Sequence, residues 1–214
     1  MALNRKIGQL AVLVLIFIAL PAIHNVAILA SPKIYLMMLI AVVATLFQPS
    51  YSPVEAGPTG DRGTALQIVW SVYAVMAGAL LEAYYLRYPE SFSWSPLVWV
   101  ALAVAVLGLV LRSWSYIVLG RHFTWHVTTL SDHSLVEDGP YRWIRHPSYT
   151  GAFLTYAALP LFFGSYYSFA ASLLILPAAF YRRIGVEEAE LLSKLGKSYE
   201  DYRKRTGKLI PWIG

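Results

Sequence analysis

Arg145-His146-Pro147-Ser148-Tyr149-Thr150-Gly151 decides how this chain is read. It joins a polar segment, residues 120–149, to an apolar run that begins at Tyr149. His146 precedes a proline and is biased to extended backbone. Pro147 suits the first turn of a helix, where its missing N–H costs nothing. Unpaired N–H groups at such a helix start attract anions, a carboxylate among them, and Arg145 adds to that attraction. Four of the five histidines, His122, His126, His133 and His146, fall in the same segment. Ionisable side chains are thus gathered at one edge of a chain otherwise built for lipid, and that edge reads as a cofactor site.

Working outward, the rest of the chain is apolar. Only 14% of its 214 residues are charged and 57% are hydrophobic, with a mean hydropathy of +0.54. A soluble globular chain carries about 25% charged residues. The deficit and the long apolar runs give an all-α, polytopic transmembrane bundle, and the length allows one domain. There is no cysteine, which excludes disulfides, thiolate metal sites and a cysteine nucleophile. The net charge of +5 sits at the ends of apolar runs and in the C-terminal tail, as membrane flanks do, so no nucleic-acid partner is expected.

Six apolar segments approach the ~20 residues a spanning helix needs. The first, Ile7 to Ala30, follows Asn4-Arg5-Lys6 and is longer than the about 7–15 residues of a signal-peptide core. It is read as a retained first span. Pro32 forces a turn before a short second segment, Ile34 to Phe47, whose failure to cross would leave five spans. A Pro- and Gly-rich loop covers Gln48 to Thr64. The third and fourth spans are Ala65 to Leu86 and Pro96 to Leu119. The fifth and sixth, Tyr149 to Phe163 and Tyr167 to Tyr181, form a hairpin broken at Gly164-Ser165. A cytoplasmic amphipathic helix is expected from Ile184 to Arg205, ended by Gly207 and Pro211. The positive-inside rule puts both termini and the polar segment in the cytoplasm. Residues 1–119 are then a four-span membrane region. Residues 120–214 are a cofactor-binding region of loop, hairpin and C-terminal helix.

Several residues stand out. Glu188 shares a helix face with Ile184, Leu191, Leu192 and Leu195, where a carboxylate must find a partner. Glu187 lies beside it and Arg183 one turn before, so the pair either forms an i,i+4 ion pair or binds a cationic group. Arg112 falls inside the fourth span and either faces the bundle interior or snorkels to the interface. His122 and His126 have a spacing that can bring two imidazoles to one metal, but no acidic residue completes the motif and no metal is expected. Asp138-Gly139-Pro140 is turn chemistry. No glycine-rich phosphate loop, G-x-G-x-x-G or His-Glu-x-x-His is present.

One set of motifs is ordered along the last part of the chain. Leu119-Gly120 closes a span; His133-x-Leu135-Val136 leads to Gly139-Pro140-Tyr141; Arg145-His146-Pro147-x-Tyr149 starts the next span. Arg183 precedes Glu187-Glu188, and Leu195-Gly196-x-x-Tyr199-x-x-Tyr202, Thr206-Gly207 and Pro211 follow. This pattern, over roughly the last 95 residues, resembles the isoprenylcysteine carboxyl methyltransferase family and its phospholipid N-methyltransferase relatives. The resemblance implies an integral-membrane enzyme that uses S-adenosylmethionine at the cytoplasmic edge and takes a lipophilic acceptor from the bilayer.

The resemblance assigns the methionine amino group to Glu187 and Glu188, and the methionine carboxylate to Arg145 with the helix start after Pro147. It assigns the adenine to His133, Leu135 and Val136. Gly139, Tyr141, His146 and Tyr149 complete the pocket, and Arg183 holds an anionic acceptor. Isoprenylcysteine carboxyl O-methylation is the leading expectation. A phospholipid amine, a small thiol and an isoprenoid-like acid are alternative acceptors. The membrane is the inner membrane of a bacterium or the endoplasmic reticulum of a eukaryote. An NADPH-dependent sterol-type reductase shares an Arg-His-Pro-x-Tyr element, but the acidic pair at the cofactor opposes a 2′-phosphate. A plain membrane scaffold leaves Glu188 unexplained.

Overall fold

The structure, a computed structural model, describes residues 2–47, 61–120 and 135–213. Its helices are α1 (Ala2–Val14), α2 (Leu20–His24), α3 (Pro32–Phe47), α4 (Thr64–Leu81), α5 (Pro96–Leu119), α6 (Pro147–Phe162), α7 (Tyr166–Leu195) and α8 (Lys197–Arg205). No strand occurs among the described residues. Among the described residues, four stretches are long and apolar enough to cross a membrane: Lys6–Ile23, Thr64–Leu86, Pro96–Leu119 and Tyr166–Leu195. Helices α3 and α6 have 16 residues each. Each is about 24 Å long, against a hydrocarbon core of ~30 Å.

Two sequence boundaries are corrected. The first apolar helix stops at His24 rather than Ala30. Asn25 takes extended backbone and its side chain accepts from the Ala27 N–H at 3.1 Å, so a local bond replaces the helical one. The stretch from Val26 to Ala30 is a 3₁₀ turn. The separate helix expected from Ile184 is instead continuous with the last span, because nothing between Tyr181 and Leu195 breaks a helix. The 30 residues of α7 exceed the bilayer core, so its last turns leave the apolar zone. The break falls at Gly196, whose φ of +53° is in the left-handed region that glycine tolerates. Gly164, at φ +64°, turns α6 into α7 as the sequence indicates.

Helices α5 and α6 form the most extensive pair in the bundle. They approach through facing glycines: a Cβ on Gly151 would lie 2.6 Å from the Gly108 carbonyl oxygen, and the reverse contact is also 2.6 Å. Close backbone approach of this kind is how helices pack where lipid removes the hydrophobic drive. Around this pair, Ile34, Met37 and Ile40 of α3 pack with Leu80 of α4, Ala105 of α5 and Phe162 of α6. Leu176 and Phe180 of α7 pack with Val75 of α4 and Ala152 of α6.

Two buried charges that the sequence reading passed over tie the end of the bundle far from Arg145. Lys33 donates to the Ser91 and Phe162 carbonyls at 2.8 Å each. Glu82 accepts from the Tyr167 and Ser168 N–H groups, at 3.1 and 2.9 Å, at the positive end of the α7 dipole. At the opposite end Lys6 donates to the Leu46 carbonyl at 2.8 Å, so α1 and α3 run antiparallel along the bundle.

Candidate functional site

The segment before α6 is fixed by the chain that follows α8. Arg145 N–H donates to Gly207 O at 2.8 Å, His146 N–H to Lys208 O at 3.1 Å, and Gly207 N–H to Trp143 O at 3.0 Å. Thr150 Oγ1 adds a bond to Leu209 O at 2.7 Å. The tail after α8 therefore closes over the helix start that Pro147 opens.

Beneath this closure lies a buried ionic cluster. Arg145 Nε donates to Glu188 Oε1 at 3.0 Å, with 2% and 9% of the two side chains exposed. Arg145 also donates from one terminal nitrogen to the carbonyls of Arg203 and Thr206. His146 Nε2 lies 3.2 Å from the same Glu188 oxygen, and a carboxylate only accepts, so that ring nitrogen carries the proton. On the other edge of Glu188, Arg203 and Lys208 stand 3.9 Å from Oε2. A carboxylate taken out of water needs such matched partners.

Glu187 faces differently. Its side chain is 32% exposed, and Oε2 accepts from Tyr149 OH at 2.8 Å. Tyr149 in turn accepts from Arg183 Nε at 3.1 Å. Arg183 donates to Asp61 and, at 3.0 Å, to Thr64 Oγ1. Neither Asp61 nor Thr64 was singled out in the sequence. The signal present was a lone aspartate three residues before the threonine that opens an apolar run.

Arg112 faces the bundle interior, which decides between its two sequence readings. It is 6% exposed, donates to Ser148 O at 2.9 Å, and lies over the Tyr116 ring at 5.0 Å. Its Nε is buried with no hydrogen-bond partner among the described residues.

The remaining predicted residues divide. Gly139, at φ +56°, turns against α5, where a Cβ would come within 2.8 Å of Val118 Cγ2. Tyr141 is buried, its carbonyl accepting from Tyr202 OH at 2.7 Å. Leu135 and Val136 are half-buried on the stretch leading to Gly139. His133, with His122 and His126, lies outside the described residues. Burial pushes the phenols of Tyr141, Tyr199 and Tyr202 up, and nearby Glu187, Glu188 and Glu137 respectively push the same way, so all three stay neutral.

Fold and site together define an integral-membrane helical bundle with a charged, half-enclosed site built where its last helix leaves the apolar zone. The family model described as "Isoprenylcysteine carboxyl methyltransferase (ICMT) family" matches residues 99–193, which take in Arg112, Arg145 to Tyr149, Arg183, Glu187 and Glu188. The chain is 30% identical over 183 residues to the "Probable protein-S-isoprenylcysteine O-methyltransferase" of Oryza sativa subsp. indica, covering 82% of this chain and 95% of that one. It is 38% identical over 133 residues to the "Protein-S-isoprenylcysteine O-methyltransferase" of Schizosaccharomyces pombe, covering 60% of this chain and 56% of that one. A solved structure of "the eukaryotic intramembrane Ras methyltransferase ICMT" superposes with a TM-score of 0.65 at 28% identity, covering 86% of this chain and 69% of that one. The chain belongs to the isoprenylcysteine carboxyl methyltransferase family. It spans about half the length of the Schizosaccharomyces pombe and Tribolium castaneum relatives, 56% and 47%.

Proposed function

We propose that this protein is a membrane methyltransferase that uses S-adenosylmethionine to esterify the carboxylate of a lipophilic, prenylcysteine-like acceptor. The observation that carries the reading is the acidic pair at the edge of the apolar bundle. Glu188 is buried and held by Arg145 and His146, and Glu187 beside it is partly open. This donor set fits a ligand with a cationic centre and opposes one carrying phosphate. The names of the similar proteins point the same way and give the reductase alternative no support.

When bound, S-adenosylmethionine supplies an electrophilic methyl group on a sulfonium. Glu187 and Glu188 would hold the amino group. Arg145 holds Glu188 and, with the start of α6 after Pro147, would favour the carboxylate end. His146, Tyr149, Gly139 and Tyr141 shape the pocket, and Leu135, Val136 and His133 are assigned the adenine side. A carboxylate acceptor is already an anion and asks no base of the chain. Its orientation in a water-poor site supplies much of the rate.

Arg183 has its charge matched by Asp61, so the acceptor carboxylate is assigned to Arg112. Its guanidinium is turned inward and keeps a buried N–H that has no hydrogen-bond partner among the described residues. We place this end of the bundle in the cytoplasm, because Lys6, Arg182, Arg203, Lys204, Arg205 and Lys208 collect there.

Calorimetric titration of the detergent-purified protein with S-adenosylhomocysteine and, separately, NADPH tests the reading. S-adenosylhomocysteine binding by the wild-type protein that is lost in the folded fraction of Glu188→Ala supports it. NADPH binding alone overturns it.

A further inference from the structure

We infer that Asp61 is a positioning residue for the cofactor site, acting on Glu187 through Arg183 and Tyr149. The inference rests on the S-adenosylmethionine reading above. Asp61 lies upstream of residues 99–193, which the family model matches, in a part of the chain where the sequence shows no motif. It is nevertheless 3% exposed. One carboxylate oxygen takes the Arg183 guanidinium; the other accepts from the Ala65 N–H of α4 at 3.2 Å. A residue that only capped α4 would not need a buried arginine from α7.

From Arg183 the connection continues without a gap. Nε donates to Tyr149 OH at 3.1 Å, and Tyr149 OH donates to Glu187 Oε2 at 2.8 Å. The hydroxyl has one proton, so accepting from Arg183 orients it to donate to Glu187. Tyr149 is also held against Phe180, ring centroids 5.7 Å apart. Three helices, α4, α6 and α7, thus meet in one line of polar contacts ending on the more open carboxylate of the acidic pair. Asp61 fixes where the guanidinium sits, the guanidinium fixes the hydroxyl, and the hydroxyl fixes the carboxylate oxygen. Charged links of this kind couple because each is strongest when the next is in place.

The test uses the full-length protein in detergent with S-adenosylhomocysteine as the probe. Asp61→Asn keeps an acceptor for Ala65 and removes the charge facing Arg183. It is expected to weaken binding about 10-fold and to raise the KM for the methyl donor. The KM for an N-acetyl-S-farnesylcysteine acceptor should be unchanged. Tyr149→Phe should weaken binding similarly, and the double variant should be no worse than either single one. Wild-type affinity in Asp61→Asn, or losses that multiply in the double variant, would overturn the inference. If Asp61→Asn does not fold, Asp61→Glu decides. It displaces the charge by one methylene, and a loss of about threefold or more supports the coupling where unchanged affinity refutes it. Failure of the wild-type protein to bind the probe would instead refute the cofactor reading on which this rests.

Discussion

Arg145 Nε and Glu188 Oε1 meet at 3.0 Å across the contact between the start of α6 and the last turns of α7, and both side chains are buried. The pair joins a segment that precedes one helix to the last turns of another. The tail carbonyls of Arg203 and Thr206 accept from the same guanidinium. The site and the C-terminal closure are therefore one structure energetically.

We predict that Glu188→Gln destabilises the protein by about 3–5 kcal/mol, because it leaves Arg145 buried without its counter-charge. Probe binding should be lost in the fraction that remains folded. Thermal unfolding in detergent and calorimetry read the two effects, and a variant with unaltered unfolding temperature would contradict the first.

Arg112→Leu is expected to separate the two substrates. The KM for the farnesylated cysteine acceptor should rise roughly 10- to 100-fold, the loss of a charged hydrogen bond, while S-adenosylhomocysteine affinity stays within about twofold. Steady-state kinetics with calorimetry decides it, and an equal loss of both would place Arg112 outside the acceptor site.

Gly151→Ala should fail for a packing reason. The new Cβ meets the Gly108 carbonyl oxygen at 2.6 Å and the Arg112 nitrogen at 2.7 Å, both backbone. Overpacking of this kind costs about 1–3 kcal/mol, and the displaced α5 takes Arg112 with it. A lowered unfolding temperature together with a raised acceptor KM is the expected result. Gly185→Ala, where no atom lies within 4 Å of a new Cβ, is the control and should change neither.

Lys33→Met probes the far end of the bundle. Two buried carbonyls, Ser91 and Phe162, lose their donor, so stability should fall by about 1–3 kcal/mol. Affinity for S-adenosylhomocysteine, measured on folded protein, should not move. A change in affinity would mean that the two ends of the bundle are coupled.

Much of this was legible in the sequence, and the reasons are local. Pro147 marks the start of α6 because proline fixes its own backbone angle. Gly164 marks the α6–α7 turn because other residues resist a positive φ. Glu188 on an apolar stripe had to find a partner, and it has one. The Asn25 break was missed because an Asx bond competes with the helix only by about the strength of one hydrogen bond, and hydropathy does not register it. The continuity of α7 was missed because the change from apolar to charged at Arg182 looks like a boundary, although helix geometry is indifferent to it.

The sequence by itself determined the membrane class, the start of α6 at Pro147, the turn at Gly164 and the presence of charge at one edge. All of these follow from the composition of short windows and the backbone preferences of single residues. Only the tertiary structure decided which charges meet. It brought Glu188 to Arg145 and His146, turned Arg112 inward, and set Asp61 against Arg183. Ion pairing acts over a few ångströms, and those distances are set by how helices far apart in the chain pack side by side.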